Sequence, residues 1–247
     1  MRLVVYNIRY GTGVGWHFHV PFPFSGYLKT THRNVARITE FLQIQAPDIV
    51  GLIEVDGGSY RHARRSQAAE IAGSLGFDHV YESKYSRSSL AKAVPVMRLQ
   101  GNAFLTNQKI KTRGFHYFRK GIKRLIIELE LDSVVLFLVH LSLAFRHRHS
   151  QLRDLYHLFQ AADKPVIVAG DFNAFWGDDE LDLFLAATGL VNANAAGTPT
   201  FPSRNPRRQL DFVLHSPGVQ VTDFRVPDVR LSDHMPLVCD FNIAAND

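Results

Sequence analysis

The sequence predicts an α/β protein in which a mixed β-sheet system carries helices on its outside. Eight short runs are continuously apolar or alternate with a period of two, and helical patterns separate only some of them. No linker-like, low-complexity or repeated stretch divides the 247 residues, so one domain over residues 1–247 is expected. A composition of 46% hydrophobic and 21% charged residues suits a sizeable core.

The strand candidates are LVVYNI from Leu3, DIVGLIEV from Asp48, NAFLTN from Asn102, LIIELEL from Leu125, VVLFLVHLS from Val134, PVIVAGDF from Pro165, LDFVLH from Leu210 and PLVCDFN from Pro236. PVIVAG is short, β-branched and unalternated, as expected of a strand buried on both faces. Thr30 or Thr31 can cap a first helix whose Val35, Ile38 and Leu42 share a face and which has ended by Pro47. A second helix is expected from Arg61 to Leu75, stopping at Gly76, and a third from Ser150 to Ala161. Asp178 or Asp179 can cap a fourth, with Leu181, Phe184 and Leu185 inward and Gly189 as its stop. Gly13 to Tyr27, GVGWHFHVPFPFSGY, has no helical or strand period and reads as a long aromatic loop, either functional or packed on the body of the protein.

No apolar run approaches the roughly 20 residues of a membrane helix. Met1 leads into a strand-like run without a signal-peptide pattern, so a cytoplasmic location is expected. Cys239 is the only cysteine; it forms no intrachain disulfide and reads as a core residue. The net charge of +5 suits a polyanionic partner, nucleic acid or an acidic lipid surface. Basic runs at Arg61 to Arg65, Arg146 to Arg153 and Ser203 to Arg208 read first as solvated faces. His147, His149 and His157 have arginine-rich surroundings, which suits a basic helix surface better than a zinc site.

Polar residues recur where the strand candidates end. Asp171 and Asn173 follow PVIVAG at i and i+2, a spacing that in extended chain points both side chains the same way, although both are also turn residues. Asn7, Glu54 and His140 close three other strands, Asp211 opens one, and Ser232, Asp233 and His234 precede the last. Together they favour one cleft lined from many parts of the chain.

The motifs VYNIRYG, GLIEV, GNAFLTN, VHLS, GDFN, QLDFVL and LSDHMPL, in this order and over nearly the whole chain, resemble those of the endonuclease/exonuclease/phosphatase superfamily of DNase-like metal-dependent hydrolases. The resemblance implies a four-layer αββα sandwich with the site at one edge of two packed sheets. It implies hydrolysis of phosphate esters with Mg²⁺ as cofactor, or Mn²⁺ in its place. By similarity Glu54 is the principal metal ligand, with Asn7 and Asp233 close enough to assist. His234 is the general base, Asp211 fixes its tautomer, and Asp171 orients the nucleophile or protonates the leaving group. Asn173 donates to a phosphoryl oxygen, His140 stabilises the same oxygens, and Asn102 stands on the substrate side.

The expected substrate is a phosphate ester, first of all a nucleic-acid phosphodiester, in keeping with the basic charge. The alternative is a lipid head group or other small phosphodiester, as in the sphingomyelinase-like branch, touched by Trp16, Phe18, Phe22, Phe24 and Tyr27. The Tyr-x-Pro-Asn signature of exonuclease III-like enzymes and the paired cysteines of secreted DNases are absent. GDFN continues as AFWGDDEL rather than with the Tyr-Arg of inositol polyphosphate phosphatases. Every expected catalytic residue type is present, which argues against a relative that only binds. No transmembrane segment and no obligate protein partner are expected.

Overall fold

The structure, a computed structural model, describes residues 1–14, 30–84, 96–121 and 123–244. In chain order the strands are β1 Arg2–Asn7, β2 Ile49–Asp56, β3 Asp78–Ser83, β4 Gln100–Thr106, β5 Thr112–Tyr117 and β6 Leu125–Glu130, then β7 Val135–His140, β8 Val166–Asp171, β9 Val191–Asn192, β10 Asp211–His215, β11 Val219–Arg225 and β12 Leu237–Ile243. The α-helices are α1 His32–Gln45, α2 Gln67–Leu75, α3 Phe145–Phe159 and α4 Asp182–Thr188.

The strands form two six-stranded sheets, ordered β11-β12-β1-β2-β4-β3 and β5-β6-β7-β8-β10-β9. Both are mixed: β1 runs parallel to β2 and β7 parallel to β8, while the remaining neighbours are antiparallel.

Successive side chains of a strand leave on opposite faces, and here each face of a central strand meets a different core. Leu3 and Val5 of β1 join Leu136 and Leu138 of β7 in a core between the sheets. Val4 and Tyr6 turn outward to Val35, Ile38 and Ile71 of α1 and α2. Phe137 and Val139 of β7 turn outward to Leu152, Leu155 and Phe184 of α3 and α4. The result is the expected αββα sandwich, and it explains why the central strands lack alternation. Cys239 lies in the core between the sheets, and burial pushes its thiol up to about 12.

The helices differ from expectation at their starts. α2 begins at Gln67, not Arg61, because Tyr60–His62 makes a 3₁₀ turn and Ala63 and Arg64 take positive φ; Ser66 then caps the helix. α3 starts at Phe145, before the expected Ser150. Asp178–Glu180 forms a 3₁₀ turn, and α4 proper starts only at Asp182. The stops at Gly76 and Gly189 are as expected, both glycines being left-handed. Two basic runs are not wholly solvated faces. Arg61 is buried against Asp56 at 3.0 Å, and Arg148 is buried against Glu180 at 2.6 Å.

Four strands have no counterpart in the sequence expectation: β3, β5, β9 and β11. From position 15 onward the aromatic segment Gly13 to Tyr27 lies outside the described residues. Among the described residues no helix is long and apolar enough to cross a membrane.

Candidate active site

Strand register brings the polar strand ends together. His140 on β7 is the parallel partner of Asp171 on β8, and Asp211 on β10 is its antiparallel partner. Three neighbouring strands of one sheet therefore present His140, Asp171 and Asp211 side by side. In the other sheet Asn7 pairs with Ile53, the residue before Glu54. Asn7 Nδ2 donates to Asp171 Oδ2 at 3.1 Å, which joins the two sheets at this edge.

The backbone departs from regular strand where the functional side chains leave it. Pairing between β2 and β4 shifts between Leu52 and Val55, and Glu54 sits in that bulge with φ of 56°. Bulges re-aim a side chain next to sites, and Asn102 Oδ1 holds this one by accepting from the Glu54 amide at 3.2 Å. Asn173 also has positive φ, 51°. Its own amide donates to Asp171 Oδ1 at 3.0 Å and its Nδ2 donates to the Leu141 carbonyl at 2.9 Å. Gly170 has φ of 146°, and a Cβ there would stand 2.0 Å from the Val139 carbonyl oxygen, so only glycine lets β8 approach β7 and deliver Asp171.

Asp171 is 1% exposed and lies between two imidazoles, with His140 Nε2 at 3.2 Å and His234 Nε2 at 3.8 Å from its Oδ2. Behind His234, Nδ1 faces Asp211 Oδ2 at 2.8 Å. The Thr200 hydroxyl donates to the same Asp211 oxygen at 2.6 Å, and the Phe201 ring packs on His234 at 4.9 Å. Asp233 is paired with Arg9 Nε at 3.3 Å, and the Arg9 amide donates to Asn7 Oδ1 at 3.1 Å.

These contacts set the charges. Burial alone would lower His234, but the carboxylates of Asp211 and Asp171 outweigh it and push the imidazole up to about 10. Burial opposes the charge of Asp171, yet His234, His140 and Lys123 hold its carboxyl well below the usual range. His140 is moved down by burial and by Lys123, against the pull of Asp171, which favours the neutral ring. Glu54 is likewise kept ionised in spite of burial, by Lys123 and Lys84.

Glu54 offers the test of whether the residues present suit a divalent metal ion. Among the described residues its carboxylate accepts no hydrogen bond, and its ion pair with Lys123 is long, 3.9 Å. An ionised, largely buried carboxylate with the oxygens of Asn7 and Asp171 on adjoining strand ends fits a hard cation that prefers oxygen. Atoms of Asp171, Asp211 and His234 also lie within 4.8 Å of one another, although His234 Nδ1 and Asp211 already face each other.

All nine residues singled out in the sequence fall at this edge: Asn7, Glu54, Asn102, His140, Asp171, Asn173, Asp211, Asp233 and His234. Asn102 reaches the site through the Glu54 backbone. Sequence reasoning missed Arg9, which pairs with Asp233, Lys123, which contacts His140 and faces Glu54, and Thr200, which donates to Asp211. Arg9 lies inside VYNIRYG, and its motif was the available signal. Lys123 and Thr200 come from irregular loops with no strand-end pattern. His147, His149 and His157 are exposed on α3, away from any such cluster.

The profile of the Endonuclease/Exonuclease/phosphatase family matches residues 4–234. A search of curated proteins found no match. Among solved structures, the human Nocturnin catalytic domain with bound sulfate is 22% identical, with a TM-score of 0.68 over 99% of this chain and 94% of that one. Mannosyl-6-phosphatase of Bacteroides thetaiotaomicron is 15% identical, with a TM-score of 0.70 over 98% of this chain and 100% of that one. The Neisseria 3′ phosphatase NExo, bound to product DNA hairpin, is 14% identical, with a TM-score of 0.68 over 98% and 99%. At these identities the likeness is one of fold, while the profile match spans both sheets and every residue of the cluster. The chain belongs to the endonuclease/exonuclease/phosphatase family, whose members include hydrolases acting on phosphate esters.

Proposed function

We propose that this protein is a Mg²⁺-dependent phosphodiesterase that cleaves nucleic-acid backbones by attack of water. The observation that carries the reading is the placement of Asp171, a buried and ionised carboxylate between His140 and His234, with Asn7 joining it to the strand ends that bear Glu54.

Glu54, assisted by Asn7 and by Asp233, would hold the ion. Bound there, it would neutralise phosphoryl charge and oppose protonation of His234. His234 Nε2, on the side away from Asp211, takes the proton of the attacking water, and Asp211 stabilises the imidazolium that results. Asp171, being ionised, accepts from that water and orients it. Asn173 and His140 donate to phosphoryl oxygens, and Asn102 keeps Glu54 aimed.

Nucleic acid is favoured by what borders the site. A cavity of about 290 Å³ is lined by Phe175, Phe201, Pro202, Asn205, Arg207 and Arg208 and abuts His234 through Phe201. Aromatic faces beside guanidinium groups suit a base and its flanking phosphates. The DNA held by the Neisseria relative is consistent with this reading.

The test is a Mg²⁺-dependent nicking time course on supercoiled DNA at low salt, with His234→Ala prepared alongside. Nicking by the wild type alone supports the proposal. Failure of the wild type to nick, with turnover of a small phosphate ester, would leave a phosphoesterase of another substrate class.

A further inference from the structure

Away from the phosphate-ester site, His32, His62 and Glu70 bring one ligand atom each to within 4.8 Å of one another. They come from three separate pieces of chain: the first residue of α1, the 3₁₀ turn after β2, and α2. We propose that these three side chains bind a divalent transition-metal ion of the zinc class, clamping α1, the β2–α2 connection and α2 together.

The donor set, two imidazoles and one carboxylate, is that of a zinc-class ion rather than of Mg²⁺. His62 is wholly buried, and its Nε2 lies 3.2 Å from Glu70 Oε2. The His32 ring stacks on it with centroids 4.2 Å apart and an angle of 27°. His32 and Glu70 are only partly buried, so their side chains can turn until all three donors reach the bonds of about 2.0–2.2 Å that zinc makes.

The surroundings can present His62 in the form a metal needs. Thr31 Oγ1 lies 2.9 Å from His62 Nδ1, 3.2 Å from Gln67 Nε2 and 3.4 Å from the Arg61 carbonyl. One hydroxyl can serve all three by accepting from Gln67 and from Nδ1–H while donating to the carbonyl. In that tautomer the Nε2 lone pair points at the Glu70 carboxylate, and a cation can stand between them; with the proton on Nε2 the same contact is a hydrogen bond of 3.2 Å. A hydrogen bond from the second ring nitrogen to a fixed oxygen is the usual outer support of a ligating histidine.

Gln67 ties this site to the fold. Its Oε1 accepts from the Asp56 amide at 2.9 Å, two residues after Glu54, and its Nε2 donates to the Tyr10 carbonyl at 2.8 Å. The ion would therefore brace the segment that follows Glu54 without touching the phosphate-ester site.

The experiment is titration of the full chain with Co²⁺, read by visible absorption, and with Zn²⁺, read by thermal melting. Wild type, His32→Asn, Glu70→Gln and Glu54→Gln are compared, with circular dichroism as the check on folding. The expected result is a saturable absorption band and a Zn²⁺-dependent rise in Tm for wild type and Glu54→Gln. Both folded variants of the cluster should bind at least about 10-fold more weakly, the loss that even an outer-shell partner causes. The proposal is overturned if the wild type gives no band, if His32→Asn and Glu70→Gln bind like wild type, or if Glu54→Gln abolishes the signal.

Discussion

His234 Nδ1 stands 2.8 Å from Asp211 Oδ2, while Nε2 of the same ring faces Asp171 Oδ2 at 3.8 Å. The imidazole is thus fixed by one carboxylate and turned towards another, both buried. Asp211 is fixed in turn by the Thr200 hydroxyl, so the ring has one orientation rather than several. An imidazole positioned in this way needs little reorganisation as it takes up a proton.

Removing either side of this arrangement should abolish most of the activity without unfolding the protein. His234→Ala and Asp171→Ala are each expected to slow turnover by at least about 100-fold, the scale of lost acid-base help. Asp211→Asn keeps the shape of the pair but not its charge and should act in the same direction. The measurement is kcat on DNA, the substrate proposed above, with melting curves in parallel, and a near-wild-type rate for His234→Ala or Asp171→Ala would sink the assignment.

Glu54 and Lys123 should have opposite effects on the metal. Glu54→Gln removes the ionised ligand and is expected to raise the Mn²⁺ concentration at half-saturation by about 10-fold or more. Lys123→Met removes the cation that neighbours the same carboxylate and should lower it, because a like charge near the ion is lost. Calorimetric titration of the two variants checks this, and equal shifts in the same direction count against Glu54 as the ligand.

The metal-free protein should lose stability as pH rises because of His234. Its proton affinity is raised on folding from an ordinary 6.5 to about 10, so the stabilisation is complete below the lower value and disappears as pH climbs through the higher one. Asp171, moved down from 3.8, contributes in the opposite window: its stabilisation is present above that value and is lost as pH falls further. The gap in Tm between wild type and His234→Gln, measured in chelator, should therefore narrow between about pH 7 and pH 10. A gap that stays constant across that range contradicts the charge assignment.

Gly170 should tolerate no side chain. With φ of 146° and the Val139 carbonyl 2.0 Å from any Cβ, Gly170→Ala must push β8 away from β7. A loss of about 3 kcal/mol in urea unfolding is expected, and because Asp171 is the next residue, activity should fall as well. Wild-type stability and rate together would show that the strands can give way at this point.

What the sequence by itself determined was the buried centre of each sheet and the residues at the ends of its strands. All eight runs recognised there are strands, because a segment buried on both faces is apolar along its length and one buried on a single face alternates, and both patterns are visible without knowing the neighbours. The four strands that escaped recognition, β3, β5, β9 and β11, are the four edges of the two sheets. Their residues face solvent in part, as in the exposed start of β5 at Thr112 and Arg113, and β9 is only two residues long, so they lack a clean period. They are strands because a neighbour offers them backbone hydrogen bonds. The site divides along the same line. Asn7, Glu54, His140, Asp171, Asp211 and His234 were legible as polar ends on apolar runs. Tertiary structure alone decided that a bulge turns Glu54 out of its ladder, that Thr200 steadies Asp211 and that Lys123 faces Glu54, because each relationship joins elements that only sheet packing brings together. His32, His62 and Glu70 likewise become a cluster only when α1 and α2 lie side by side on their sheet.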